Sequence, residues 1–303
     1  MYWHANPVPP PLASVIFPAR DEGRNVVETL ESLHAAPSQA SLEAIVVDDG
    51  SGDGCCDSLS SVYRFPLNVV HTKGIGAAQA RNLGARVARG RFLVFCDAHL
   101  RFPDGWLDQV LAGFDTPLEA SDGPVGAVSP GIGVIDDAKR AGFGETWNEQ
   151  LEVKWLPPTP TPAAVPLLPG GCVAFRADVF NRIGGFDRGF TTWGHEDEEI
   201  SIKLWLFGHA AVCVPEVMVG HLFRSRHPYR VTLWDAHYNL IRMAYSHFSD
   251  ARLAKALGLL SSFAYHETLV GLVRQASLGQ RQAYFAARAR SDDWFFERFA
   301  IPF

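Results

Sequence analysis

The segment RFLVFCDAH, residues 91–99, joins an apolar run, Arg91 to Cys96, to a polar end, Asp97-Ala98-His99. A short apolar run bounded by polar residues reads as a buried strand. The sequence around it repeats the pattern. Ser14 to Phe17 leads into the turn Pro18-Ala19-Arg20-Asp21-Glu22-Gly23, and a helix is expected over Asn25 to Ala35, with Val26, Leu30 and Leu33 on one face. Ala44 to Val47 ends in Asp48-Asp49-Gly50-Ser51, Leu67 to Val70 ends in His71-Thr72-Lys73-Gly74, and Ala77 to about Ala88 has a helical pattern. Strands each followed by helical pattern predict an α/β fold, a mostly parallel sheet with crossover helices. Ligands of such sheets sit beyond the carboxyl ends of the strands, so these four polar ends should share one crevice.

Further on, Asp104 to Phe114 reads as a helix, Val125 to Val128 and Gly131 to Ile135 as two strands, and Leu156 to Pro169, with six prolines, as a loop. Strand and helix signals resume at Cys172 to Ile183. In Thr191 to Arg224, Glu196, Asp197, Glu198 and Glu199 open a helix that Gly208 closes, and a strand follows over Ala210 to Pro215. From Val231 the chain reads as helical to its end, with Ala256 to Val273 a single packed or membrane-surface helix.

Composition narrows the function. The 303 residues are 47% hydrophobic, with net charge -6 and pI near 6.0, which argues against a duplex nucleic-acid binder. Five cysteines without CxxC spacing indicate neither a disulfide framework nor a zinc ribbon. The start, MYWHANPVPPPLAS, lacks the order of a signal peptide, and no run approaches 18 apolar residues, so a cytoplasmic protein is expected.

Asp97 and His99, two apart at a strand end, point to the same side and can hold one cation; oxygen plus imidazole suits Mn²⁺ or Mg²⁺ shared with phosphate. The alternative is a strand-end turn with an incidental histidine. A second Asp-x-His, Asp235-Ala236-His237, falls in a helical segment and reads as structural. Gly74-Ile75-Gly76 before a helix can present backbone N–H groups to phosphate or be a plain turn, and Gln79 breaks a dinucleotide fingerprint. HEDEE is not HExxH, which removes a zinc protease. Gly170-Gly171 allows close approach to a ligand, or marks a bulge. Carboxylates at a helix start are favoured by the helix dipole alone, which accounts for Glu198 and Glu199.

Together, VIFPARDEGRNVVETLESL, IVVDDGS, GIGAAQARNLGA and FLVFCDAHL, followed by WNEQLEVKWLPP, LLPGGCVAFRADVF, WGHEDEEISIKLW and VGHLFRSRHPY, resemble the GT-A glycosyltransferases. The resemblance is to the large family 2 and, more closely, to the polypeptide N-acetylgalactosaminyltransferases, over about residues 13 to 245. It implies a GT-A, Rossmann-like sheet with Asp97, His99 and His221 as metal ligands. Pro18, Arg20, Glu22, Asp49, Gly74, Arg81, Asp97, Arg224, His227 and Tyr229 would then face the nucleotide. Of these, Arg224, His227 and Tyr229 match a loop that closes over the diphosphate. Gly170, Gly171, Trp193, Gly194 and Glu196 would face the donor sugar and acceptor. Asp197 stands where the animal polypeptide transferases, which retain configuration, have asparagine. Inverting galactosyltransferases and many family 2 enzymes have Glu-Asp there, with the Asp as general base.

The expectation is a metal-dependent transferase moving a sugar from a nucleotide-diphosphate donor, UDP-linked, to an unassigned acceptor, inverting through Asp197 with Glu196 beside it. The alternatives are a retaining transferase, a sugar-phosphate nucleotidyltransferase and a non-catalytic sugar-nucleotide-binding module. The expected organisation is a flexible Pro-rich tail over 1–12, a catalytic domain over 13–230 divided near residue 100, and a helical extension over 231–303. The extension would shape the acceptor side, touch a membrane surface or form a homodimer.

Overall fold

The structure, a computed structural model, describes residues 9–59 and 62–303. The expected tail therefore lies, over residues 1–8, outside the described residues. The first half of the chain runs β1 (Ala13–Ala19), α1 (Asn25–Ala35), β2 (Leu42–Asp48), β3 (Leu67–His71), α2 (Ala77–Val87), β4 (Phe92–Cys96), β5 (Leu100–Arg101) and α3 (Trp106–Ala112). Next come β6 (Val125–Val134), β7 (Asp137–Gly142), β8 (Glu145–Trp147), β9 (Val153–Trp155), β10 (Ala163–Ala164), β11 (Cys172–Arg176), α4 (Ala177–Arg182), α5 (Glu196–Leu206) and β12 (Ala210–His221). The chain ends with α6 (Leu233–His247), α7 (Asp250–Leu259), α8 (His266–Ala287) and α9 (Asp292–Arg298).

The main sheet has the order β10-β12-β6-β11-β4-β1-β2-β3. Its β3-β2-β1-β4 half and its β6–β12 pair are parallel, and β11 lies antiparallel between β4 and β6. The apolar runs form these strands because helices cover both faces: every residue of β2 is buried. Val26, Leu30 and Leu33 of α1 are buried as their spacing requires. On the other face α2 lies close, since a Cβ at Gly84 would stand 2.3 Å from Ile16 Cγ2.

Four expectations change. No helix joins β2 to β3 among the described residues, so that crossover departs from the strand-then-helix rule. The two strands expected over 125–135 are one, β6, because Pro130 pairs opposite Val214 where β12 is irregular, between Val214 and Met218; a proline is tolerated where the ladder is already broken. The same irregularity absorbs Pro215 and lets β12 run to His221 instead of stopping at 215. The single helix expected over 256–273 is two, α7 and α8.

The C-terminal helices share one apolar core with the sheet. Trp147 of β8 and Trp205 of α5, both fully buried, pack against Phe248, Phe295, Phe296 and Phe299. A buried polar network ties α5 to this layer: Lys203 Nζ pairs with Glu199 at 3.1 Å, and His247 Nε2 lies 2.8 Å from Glu199. Asp235 is structural, as expected, in a capping box with Thr232 at the start of α6. Among the described residues no helix is long and apolar enough to cross a membrane.

Candidate active site

A cavity of about 470 Å³ opens at the carboxyl ends of β1, β2 and β4, where the parallel topology places it. At its floor the end of β4 delivers Asp97 and His99, and the end of β12 delivers His221. These three side chains come from opposite halves of the sheet, yet their ligand atoms all lie within 4.8 Å of one another. His221 Nε2 is 3.1 Å from Asp97 Oδ2, and His99 Nε2 is 3.9 Å from the same oxygen. His99 Nδ1 is 3.2 Å from Glu22 Oε2, so a proton held there leaves Nε2 as the ligand nitrogen, the usual carboxylate support of a metal-binding imidazole. One carboxylate and two imidazoles fit a divalent transition metal such as Mn²⁺.

Glu22 also accepts from Arg224, so this expected nucleotide contact is a carboxylate that orients a metal-site histidine and an arginine. Arg81, 5% exposed, is likewise engaged: it donates to Asp97 Oδ1 at 3.0 Å and to Glu196 Oε1 at 2.8 Å. It is a clamp between the metal carboxylate and the start of α5 more than an open nucleotide contact. Burial works to raise the pKa of Asp97, but a hydrogen bond with His221 and the charges of His99 and Arg81 outweigh it and hold the carboxylate below its ordinary range.

The Gly74-Ile75-Gly76 turn does not present its amides to phosphate. The N–H groups of Ile75 and Gly76 donate to Asp49 at 2.6 and 2.8 Å, Ala77 N–H donates to the Thr192 carbonyl, and Gly74 does not line the cavity. Asp49 lines the cavity, but its carboxylate holds this turn and Thr72 in place. Gly74 serves the turn instead: its φ of +84 lies in the left-handed region that favours glycine. Arg20 and Pro18 line the cavity; Arg20 Nε is buried without a partner, and its guanidinium lies 5.1 Å from the Tyr229 ring.

Gly170 and Gly171 make room for side chains of the site, not for a bulge. A Cβ at Gly170 would stand 3.0 Å from Asp197 Oδ2, and one at Gly171 would stand 3.2 Å from His221 Cδ2. Asp197 Oδ2 accepts from Gly170 N–H at 3.1 Å, and Oδ1 accepts from Glu198 N–H at 3.0 Å. Burial, with Glu196 and Glu198 alongside, pushes Asp197 up to about 7, where a carboxylate can take a proton near neutral pH. Glu196 accepts from Gly194 N–H at 2.8 Å. Residues 222–229 lie along the cavity, with the His227 ring tilted against Trp193, their centroids 4.4 Å apart.

Every residue expected at the site other than Gly74 lines this one cavity. Sequence reasoning missed Glu145, His195 and Trp155, which line it too. Glu145 and Trp155 sit on a two-stranded β8–β9 sheet that no sequence period announces. His195 opens HEDEE, which does not match HExxH and so carries no motif of its own for a ligand role.

Residues 14–184 match the model of Glycosyl transferase family 2, and residues 160–228 match the N-terminal domain of galactosyltransferase. Polypeptide N-acetylgalactosaminyltransferase 8 of Drosophila melanogaster is 32% identical over 231 residues, 71% of this chain and 38% of that protein. Polypeptide N-acetylgalactosaminyltransferase 4 of Caenorhabditis elegans is 30% identical over 236 residues, 71% of this chain and 39% of that protein. The chain thus spans about two fifths of the length of these relatives. The crystal structure of GalNAc-T7 with UDP, GalNAc and Mn²⁺ superposes with a TM-score of 0.77 at 22% identity, covering 96% of this chain and 56% of that one, which shows the GT-A-type fold. On the family match, which takes in more than half of its residues, this chain belongs to glycosyl transferase family 2.

Proposed function

We propose that the protein transfers a sugar from a nucleoside-diphosphate donor, UDP-linked, to an acceptor hydroxyl with inversion, using a divalent cation. The observation that carries this is the meeting of Asp97, His99 and His221 in the cavity that also holds Asp197. The three residues would hold Mn²⁺ or Mg²⁺, which when bound supplies positive charge to the diphosphate. Two arginines of this chain face the same need: Arg20, with an unpartnered Nε, and Arg224 beside Glu22. Their guanidinium groups stabilise the charge that appears as the glycosyl–phosphate bond breaks and its electron pair leaves on the diphosphate. On the other side, the acceptor O–H bond breaks as its oxygen joins the sugar carbon, and the proton passes to Asp197. Two backbone amides hold that carboxylate in place. The likeness of residues 160–228 to galactosyltransferase supports this role for Asp197, and the UDP and Mn²⁺ in the GalNAc-T7 structure support the donor and cation. Residues 222–229 cover the diphosphate and limit entry of water.

The experiment is UDP release from a set of UDP-sugars with Mn²⁺, repeated with EDTA, and NMR of the product anomer. Release that EDTA abolishes, with an inverted product, is expected. Release unaffected by EDTA refutes the cation, and a retained product reassigns Asp197 to sugar binding.

A further inference from the structure

Two polar groups of the cavity have no part in the chemistry above. His195, just before α5, stands at φ +64, in the left-handed region that favours glycine. Its Nδ1 lies 2.7 Å from Glu198 Oε1, and the other oxygen of Glu198 accepts from the buried indole of Trp147. The pairing commits the Nδ1 proton to Glu198 and leaves Nε2 as the ring edge open to a ligand; the side chain is 20% exposed and lines the cavity. Glu145, on β8, is 6% exposed and lines the same cavity, and its carboxyl has no hydrogen-bond partner among the described residues. A carboxyl without a protein partner on a cavity wall is free to bond a ligand atom.

Both groups can hydrogen-bond a ligand hydroxyl, which donates and accepts. Burial, added to the charges of Asp197 and Glu198, holds Glu145 well above the ordinary carboxylate range. Burial works to lower the pKa of His195, but the charges of Glu198, Asp197 and Glu196 outweigh it and raise it; His237 of α6 is the further titratable group facing it.

We propose that His195 and Glu145 bind the acceptor beside Asp197, each hydrogen-bonded to a different hydroxyl next to the reacting one, and that the acceptor is therefore a saccharide with vicinal hydroxyls. This rests on the transferase reading above. The reacting oxygen is engaged by Asp197, which takes its proton, so the two other groups serve neighbouring oxygens. A lone alcohol, such as a serine or threonine side chain, would leave both groups unpaired, and a site built to bond an oxygen rejects a ligand that lacks it. Trp155 and Trp193, 42% and 41% exposed on the cavity wall, offer apolar ring surface to the C–H faces of a sugar.

The test begins with UDP release from UDP-sugars and Mn²⁺ without acceptor. Failure of every donor at this stage overturns the transferase reading and this proposal with it. The donor released fastest is then offered with methyl glycosides, their monodeoxy analogues and Ser/Thr peptides, with products read by mass spectrometry. Transfer to glycosides is expected, falling tenfold or more when a hydroxyl beside the reacting one is removed. His195→Gly suits the left-handed backbone and keeps the fold; it should raise KM for the glycoside tenfold or more while Kd for the UDP-sugar, read by calorimetry, stays the same. Glu145→Leu should act in the same direction. His195→Gly with wild-type transfer, no transfer to any glycoside, or peptides accepted better than glycosides overturns the proposal.

Discussion

Replacing Arg81 by methionine removes the cation that two carboxylates share across the sheet and keeps most of the side chain's length. Arg81 is 5% exposed, 3.0 Å from Asp97 and 2.8 Å from Glu196. Breaking a buried pair by removing one partner costs about 3–5 kcal/mol, because the remaining charge has no compensation. The Glu196 side is dry, with both side chains under a tenth exposed, whereas Asp97 is a quarter exposed and better screened. The expected loss is therefore near the lower end, about 3 kcal/mol, or about 5 °C in Tm for a chain of this length. Equilibrium urea unfolding in EDTA measures it without a contribution from bound metal. The Asp97 share also has a pH signature. A carboxylate with a depressed pKa adds stability that is fully present above its unfolded pKa, near 4, and is lost as pH falls through the folded value. Lowering the pH below about 4 should thus narrow the gap between wild type and Arg81→Met. A loss under about 1 kcal/mol at pH 7 would refute the clamp.

Four more outcomes follow from the same geometry. If Asp197 is the base, transfer should rise with pH and level off above about 7, and Asp197→Asn should cost roughly 10²- to 10⁴-fold in kcat while UDP-sugar binding holds. Because its pKa is raised, Asp197 adds stability that is full at low pH and lost as pH rises toward 7, so the Asn variant should gain on wild type between about pH 4 and 7 in unfolding experiments. Lys203→Met leaves Glu199 fully buried with His247 as its remaining side-chain partner and should lose about 3 kcal/mol of stability with no change in UDP affinity by calorimetry. Gly171→Ala places a methyl 3.2 Å from the His221 ring, so Mn²⁺ affinity, read by calorimetry, should fall severalfold; an unchanged value would separate His221 from the cation.

The sequence by itself determined the parallel half of the sheet, from Ala13 to Cys96, because its strands are short apolar runs and α1 and α2 carry a helical period. It also determined that the polar ends of β1, β2 and β4 would meet, since in a parallel sheet they emerge on one side, whereas the end of β3, expected in the same crevice, does not line the cavity. Asp97 and His99 were legible from their spacing; His221, 122 positions beyond His99, was legible only through its likeness to other chains. Tertiary structure alone decided what each polar group does. Asp49 turned inward to hold the Gly74–Gly76 amides, Arg81 became a clamp, and Glu22 an orienting carboxylate, because each satisfied the nearest buried charge or N–H group. Gly170 and Gly171 acquired their meaning from Asp197 and His221, which arrive from α5 and β12. Glu145 and His195 emerged only in three dimensions, because burial and the company of other carboxylates are set by packing, and no local period in the chain records them.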